Sequence, residues 1–168
     1  ISSVFFGILR PGDMMLSVTG NPYDTLEEVI GLRKKGQGSL IDFGIKYKQI
    51  DFRNNSTFEN QLRTIISQTN CKLVFIQKSC GYSWRSSLTL RDIQKICNIV
   101  HSIDKNCICF VDNCYGELVE EKEPTAYGAN IVAGSLIKNL GGTIVPSGGY
   151  VVGDQGLVEL ACCRLTAP

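Results

Sequence analysis

Apolar runs and amphipathic segments alternate along the 168 residues of the chain. The segments that read as strands are MMLSV, KYKQIDF, KLVFIQ, CICFVD, ANIVAGS and GGYVVG. The segments with helical spacing are VFFGIL, PYDTLEEVIGL, FENQLRTIIS, TLRDIQKICNIVHSID and QGLVELAC. Continuous apolar strands between amphipathic helices favour an α/β fold, in which a mostly parallel sheet carries helices on both faces.

The helix starting near Thr89 has the clearest signals, because this residue is a good N-cap. Asp24 or Thr25 is the expected N-cap of an earlier helix, with acidic residues in its first turn. The apolar stripes of two helices are predicted to pack on the sheet. They are Phe58, Leu62, Ile65 and Ile66 in one helix, and Ile93, Ile96, Cys97 and Val100 in the other.

Composition narrows the classes of partner. Hydrophobic residues make up 43% of the chain, charged residues 20%, and the net charge is +1. This balance offers no broad basic surface for nucleic acid, and no apolar stretch approaches the roughly 20 residues that span a bilayer. We therefore expect neither a nucleic-acid nor a membrane partner. The chain starts at Ile1 and stops without a tail, so we expect a fragment cut at both ends.

Eight cysteines are scattered along the chain, and His101 is the single histidine. Cys107 and Cys109 share one face of a predicted strand, and no CxxC pair occurs. This spacing does not suit a zinc site, so we expect no metal. Thiols in apolar contexts indicate reduced core cysteines and a reducing compartment, while the compartment itself stays open.

Ligands of open parallel sheets bind beyond the carboxyl ends of the strands. Asp112 stands at the end of one apolar run, and Lys138 follows the next. Polar or aromatic residues also follow other runs, at positions 19–23 and 78–82. The lack of a histidine there argues against a Ser-His-Asp hydrolase, and neither GxGxxG nor a phosphate-binding P-loop occurs.

A carboxylate and an amine on adjacent strand ends suit pyridoxal phosphate. This cofactor needs a lysine for its Schiff base and a carboxylate that keeps its ring nitrogen protonated. Asp112 and Lys138 are of the required types. The residues alone leave another interpretation open, in which Asp112 only caps the following turn and Lys138 is solvated.

Several longer segments carry a family resemblance. They are SVTGNPYDTLEEVIG, GYSWRSSLT, the whole stretch from Phe110 to Gly153, and RLTAP at the end. Together they resemble the aluminium-resistance family of pyridoxal-phosphate-dependent lyases, which is related to cystathionine beta-lyase and methionine gamma-lyase. The resemblance implies the type I fold of these enzymes, an aspartate aminotransferase-like large domain, incomplete here at both ends.

The resemblance also implies roles for particular residues. Lys138 matches the Schiff-base lysine and Asp112 the partner of the pyridinium nitrogen. Ser135 matches a hydroxyl that helps to hold the cofactor phosphate, although it could instead cap a turn. Tyr23 takes the place of the aromatic ring that stacks on the cofactor, or it is a half-buried residue at a helix entry.

Residues around these four have two interpretations each. Tyr82, Trp84 and Arg85 line the substrate mouth, or they form a packed loop with Arg85 in a surface ion pair. Asn113 orients the neighbouring carboxylate or holds the turn. Cys114 is expected to be structural, because no base is near it in sequence. A solvated acidic face is expected from Glu117, Glu120, Glu121 and Glu123.

The implied activity is a carbon–sulfur lyase that acts on a sulfur amino acid by α-proton abstraction and β- or γ-elimination. The alternatives are another type I enzyme (an aminotransferase, decarboxylase or racemase) or a non-catalytic α/β binding module. Residues 1–168 would form part of the cofactor-binding large domain. The phosphate-binding segment and the small domain would lie outside, so we expect little activity from this chain alone and a homodimer or homotetramer at full length.

Overall fold

The computed structural model describes residues 1–34, 36–53 and 57–165. The helices are α1 (Ser2–Ile8), α2 (Asp24–Ile30), α3 (Phe58–Gln68), α4 (Leu90–Ile103) and α5 (Gln155–Cys162). The strands are β1 (Met14–Ser17), β2 (Lys46–Gln49), β3 (Cys71–Gln77), β4 (Ile108–Asp112), β5 (Ile131–Ser135) and β6 (Gly149–Gly153). A short 3-10 helix covers Pro124–Tyr127, and a single π-type turn covers Leu136–Leu140. Most of the RLTAP segment lies outside the described residues.

The strands form one mixed sheet in the order β2-β1-β3-β4-β5-β6. All neighbouring pairs from β2 to β5 are parallel, and β6 pairs antiparallel with β5. The predicted strands and the mostly parallel sheet are therefore confirmed. The strand β2 lies at one edge, and most of its residues are exposed.

Both faces of the sheet are covered because successive side chains of a strand point to opposite sides. On β3, Leu73 and Phe75 face the layer that contains α1, α2 and α5. Val74 and Ile76 face the layer that contains α3 and α4. The continuous apolar run of this strand, KLVFIQ, follows from this double burial.

The first layer packs closely around Phe5 of α1. Its ring lies edge-on to Phe75 and Phe110, at centroid distances of 5.2 and 5.3 Å. On α1, Gly7 allows α5 to approach, since a Cβ atom there would lie 2.4 Å from the backbone oxygen of Leu160. Helix α5 therefore packs directly against α1.

Helix starts follow the sequence in one case and depart from it in another. Thr89 forms a complete capping box with Asp92, as its N-cap position predicts. The predicted N-cap of α2 is wrong. The N-cap is Tyr23, whose extended backbone lets its carbonyl oxygen accept from the amides of Leu26 and Glu27. Asp24 therefore occupies the first turn.

Five of the cysteines are buried thiols, as expected. The expectation of core thiols is wrong for Cys162 and Cys163, which are exposed near the end of α5. None of the helices in the described ranges is both long enough and apolar enough to cross a membrane.

The capping box gives a stability prediction. Thr89→Ala removes the side-chain oxygen that accepts from the Asp92 amide, so the free energy of unfolding should fall by about 1 kcal/mol. Thr64→Ala is the control, because Thr64 lies exposed within α3, where alanine is the better helix former. Urea unfolding of the two variants measures the difference, and equal stabilities would contradict the capping role.

Candidate functional site

The C-terminal ends of β4 and β5 lie side by side, since Asp112 pairs with Ala133 in the parallel ladder. Beyond these ends lies a cavity of about 150 Å³. Its lining residues come from the loops that follow the parallel strands. They are Tyr23, Ser79, Gly81, Tyr82, Asp112, Cys114, Tyr115 and Lys138. The cavity therefore lies at the C-terminal ends of the parallel strands, where an α/β sheet is expected to bind a ligand.

Asp112 brings a carboxylate to the floor of this cavity. Asp112 is only 2% exposed. Its Oδ1 atom accepts a hydrogen bond from the Cys114 amide at 3.0 Å. The interpretation of Asp112 as a turn residue is thus correct as far as this bond goes, but the same carboxylate also lines the cavity.

Lys138 reaches the cavity from an irregular backbone. Within the π-type turn its φ and ψ angles are −107° and −126°, which are not helical. Its Nζ atom lies 4.6 Å from the centroid of the Tyr115 ring, a cation–π contact. Lys138 is therefore half-buried, and its interpretation as a freely solvated lysine is wrong.

The charge state of the Lys138 amine depends on its neighbours. Burial lowers its pKa, but the contacts with Cys114, Tyr115 and Asp112 outweigh burial and raise the pKa above the ordinary lysine value. Burial and the nearby Asp112 carboxylate raise the pKa of the Cys114 thiol to about 11. The thiol is then neutral at physiological pH, which agrees with a structural role for this cysteine.

The structure brings Tyr23, Asp112 and Lys138 into one cavity but does not place Ser135 in its lining. Burial of the Tyr23 phenol raises its pKa, and the charge of Asp112 adds to the rise. Ser135 ends β5 and pairs with Gly149. Its predicted contact with a phosphate stays a prediction.

The GYSWR loop does not pack as one of its interpretations required. Tyr82 is 87% exposed and Trp84 is fully exposed, and Tyr82 also lines the cavity. Arg85 donates to the backbone oxygens of Gln77 and Ser79. Among the described residues no carboxylate forms an ion pair with it, so the expected surface ion pair is wrong.

The expected acidic face is wrong for part of its members. Glu117 is 3% exposed. Its Oε1 atom accepts from the hydroxyl of Tyr150 at 3.0 Å. Glu120 forms an ion pair with the buried Lys78 at 3.1 Å. Only Glu121 of the four lies exposed without a recorded bond in the described part of the chain.

Asn113 belongs to a cluster of hydrogen-bonded polar side chains, which also contains Glu117, Glu123 and Tyr150. Its side-chain amide donates to Glu123 at 2.8 Å and to the Tyr150 hydroxyl at 3.2 Å, so it holds the loop and does not bond to the Asp112 side chain. The sequence assigned no role to Tyr115, which follows the run that ends at Asp112, and none to Tyr150. The single local signal for Tyr115 is its position three residues after Asp112.

Comparison with known proteins now identifies the family. The family model for methionine gamma-lyase matches residues 1–168. The chain is 44% identical over 169 residues to the protein YnbB of Bacillus subtilis strain 168, matching all of this chain and 40% of the relative. The chain therefore belongs to the methionine gamma-lyase family, and it spans about 40% of the length of that relative.

Solved structures agree with this assignment. A candidate cystathionine beta-lyase involved in aluminium resistance from Clostridium acetobutylicum is 46% identical, with a TM-score of 0.94 over 99% of this chain and 40% of its own. A carbon–sulfur lyase involved in aluminium resistance from Clostridium novyi NT is also 46% identical, with a TM-score of 0.91 and the same coverage. The resemblance to the aluminium-resistance family is confirmed.

More distant structures show the fold. The pyridoxal-5'-phosphate-dependent protein YhfS from Escherichia coli is 16% identical, with a TM-score of 0.71 over 96% of this chain and 38% of its own. The type I fold expected from the resemblance is confirmed, and this chain forms part of it.

The polar cluster behind the cavity gives a second stability prediction. Gly134→Ala would place a Cβ atom 2.3 Å from Glu117 Oε1 and 2.5 Å from the Tyr150 hydroxyl. The strain should lower the free energy of unfolding by about 1–3 kcal/mol. Gly156→Ala, in α5 with nothing within 4 Å of the new atom, should instead raise it by about 0.5–1 kcal/mol. Urea unfolding that shows both variants shifting the same way would contradict the packing at Gly134.

Proposed function

We propose that the full-length protein is a pyridoxal-phosphate-dependent carbon–sulfur lyase acting on a sulfur amino acid of the cystathionine or methionine type. One observation carries the proposal. The Asp112 carboxylate and the Lys138 amine line one cavity at the ends of neighbouring parallel strands. The carbon–sulfur lyase of Clostridium novyi NT, a relative at 46% identity, supports the reaction class.

The residues present fit the cofactor. Pyridoxal phosphate requires an amine, a carboxylate and, in many enzymes, an aromatic ring beside it. Lys138, Asp112 and Tyr23 supply these groups within the cavity. Burying a carboxylate as deeply as Asp112 costs free energy unless a cationic donor faces it, and a protonated ring nitrogen would be such a donor.

When bound, the cofactor would supply an electron sink for the negative charge that develops at the substrate α-carbon. Asp112 would hold the ring nitrogen in its protonated form. Lys138 would bind the cofactor covalently through Nζ, and the same atom would accept the α-proton of the substrate. Tyr23 would lie against the ring, and Ser135 is proposed for the phosphate only on the strength of the resemblance.

The reaction class has rivals that keep this site. An aminotransferase, a decarboxylase or a racemase would use the same amine and carboxylate, because these reactions also start from a lysine-bound cofactor. Incubation of the full-length protein with cystathionine, methionine and alanine separates them. Release of a thiol, ammonia and a keto acid that has lost the sulfur supports the lyase, whereas transfer of the substrate amino group to an added keto acid, a decarboxylated amine or the mirror-image substrate supports one of the rivals.

Covalent trapping tests the role of Lys138. Pyridoxal phosphate followed by borohydride should label the peptide that contains Lys138 in the full-length protein, and Lys138→Ala should lose that label. Lys122→Ala is the matched control, because Lys122 lies exposed on a nearby loop and should leave the label unchanged. Peptide mapping by mass spectrometry reads the result. Equal labelling of wild type and Lys138→Ala would exclude the assignment, and no label at all would favour a non-catalytic module.

Loss of the carboxylate tests the role of Asp112. Asp112→Ala removes the charge that would face the ring nitrogen, so affinity for pyridoxal phosphate should fall by about tenfold or more, the scale of a charged hydrogen bond. Equilibrium dialysis of the full-length variant measures this change. Unaltered affinity would show that the carboxylate does not meet the cofactor.

A further inference from the structure

The carboxylate of Glu117 is buried although it lies in a loop rich in acidic residues. The residue is 3% exposed, and its Oε2 atom has no hydrogen-bond partner among the described residues. Its other oxygen, Oε1, accepts from the Tyr150 hydroxyl at 3.0 Å. A buried charge with so few donors is unfavourable by itself. The surrounding structure must therefore hold it in place.

The backbone of Glu117 is bonded to the segment that carries Lys138. The side-chain amide of Asn139 donates to the Glu117 carbonyl oxygen at 3.0 Å. Asn139 follows Lys138 directly in the π-type turn. The loop after β4 thus contacts the lysine segment through this bond, through the ring of Tyr115 and through the Cys114 side chain.

The hydroxyl of Tyr150 joins three parts of the site. It donates to Glu117 Oε1 and accepts from the side-chain amide of Asn113, the residue after Asp112. Tyr150 itself pairs across the sheet with Gly134, on the strand that leads to Lys138. One hydroxyl therefore connects the end of β4, the loop after it and the sheet edge beside β5.

The fit around these groups is tight. At Gly134 there is no room for a side chain beside Glu117 and Tyr150. On either side of Glu117, Tyr115 and Leu118 have positive φ angles of 66° and 61°. Such backbone conformations are costly for residues other than glycine, and they persist where the surroundings determine them. Contacts with the surrounding residues, and not local backbone preference alone, therefore determine the conformation of this loop.

We propose that Glu117 and Tyr150 are positioning residues, which fix the Lys138 amine relative to the Asp112 carboxylate. Neither is a catalytic residue, since Glu117 acts through Asn139 and Tyr150 through Glu117 and Asn113. The inference rests on the proposed function in one respect, since that function explains why the Lys138 amine must be aligned with the Asp112 carboxylate. The alignment itself can be measured without the cofactor.

The first measurement uses the full-length protein without cofactor. An amine-acylating succinimidyl ester labels lysines as neutral amines, and peptide mapping gives the rate at Lys138 across a range of pH. Glu117→Ala and Tyr150→Phe should let the amine leave Cys114, Tyr115 and Asp112, the groups that raise its pKa. Its pH profile should then move to lower pH and its labelling should become faster. Glu121→Ala, on the exposed part of the same loop, should leave the profile unchanged.

The second measurement repeats the trapping with pyridoxal phosphate and borohydride. Trapping at Lys138 should become slower by about tenfold in Glu117→Ala and Tyr150→Phe, as expected for the loss of a buried hydrogen bond. Glu117→Gln keeps an acceptor for the Tyr150 hydroxyl and should retain most of the wild-type rate. Slower trapping, together with faster acylation at Lys138 and no matching rise at the buried Lys78, is a pattern that general loss of stability does not produce.

Two results would overturn the proposal. One is an unchanged acylation profile of Lys138 in both Glu117→Ala and Tyr150→Phe. The other is an equal rise in acylation at the buried Lys78, which would mean that the fold has loosened as a whole. Failure of the wild-type protein to trap pyridoxal phosphate would count against the proposed function alone, because the acylation profile would still report the position of Lys138.

Discussion

The parallel register of β3, β4 and β5 is the constraint on which the site depends. Gln77 pairs with Asp112, and Asp112 pairs with Ala133. The C-terminal ends of the three strands therefore lie on the same side of the sheet, close to one another. This register is held by helices packed on both faces. A slip by one residue would exchange the faces of every side chain on the strand and bury the wrong set. The position of the Asp112 carboxylate is therefore secured by the whole core.

The carboxylate and the amine were predictable because they follow apolar runs. A continuous run such as CICFVD indicates a strand buried on both faces. The polar residue that ends the run must then lie at the C-terminal end of the strand, where side chains can meet a ligand. The same reasoning located Lys138 after ANIVAGS. It did not give the direction of β6, since GGYVVG reads as a strand in either orientation and only pairing with β5 decides it.

The burial of Glu117 was not predictable from its neighbourhood. A glutamate among three others normally faces water. Its burial depends on Tyr150, which is 33 residues away in the sequence, and on the missing side chain of Gly134. The backbone conformation of Lys138 was likewise not predictable, because its non-helical angles arise where β5 is followed by a single π-type turn. Long-range partners and local irregularity, which leave little trace in a short window of sequence, account for both.

The central claim is that one heterocycle meets Lys138 and Asp112 together. A crystal structure of the full-length protein grown with pyridoxal phosphate tests it most directly. We expect continuous electron density from Lys138 Nζ to the cofactor, with the ring nitrogen at hydrogen-bond distance from the Asp112 carboxylate. Density for the cofactor elsewhere, or a ring nitrogen that faces another group, would contradict the claim.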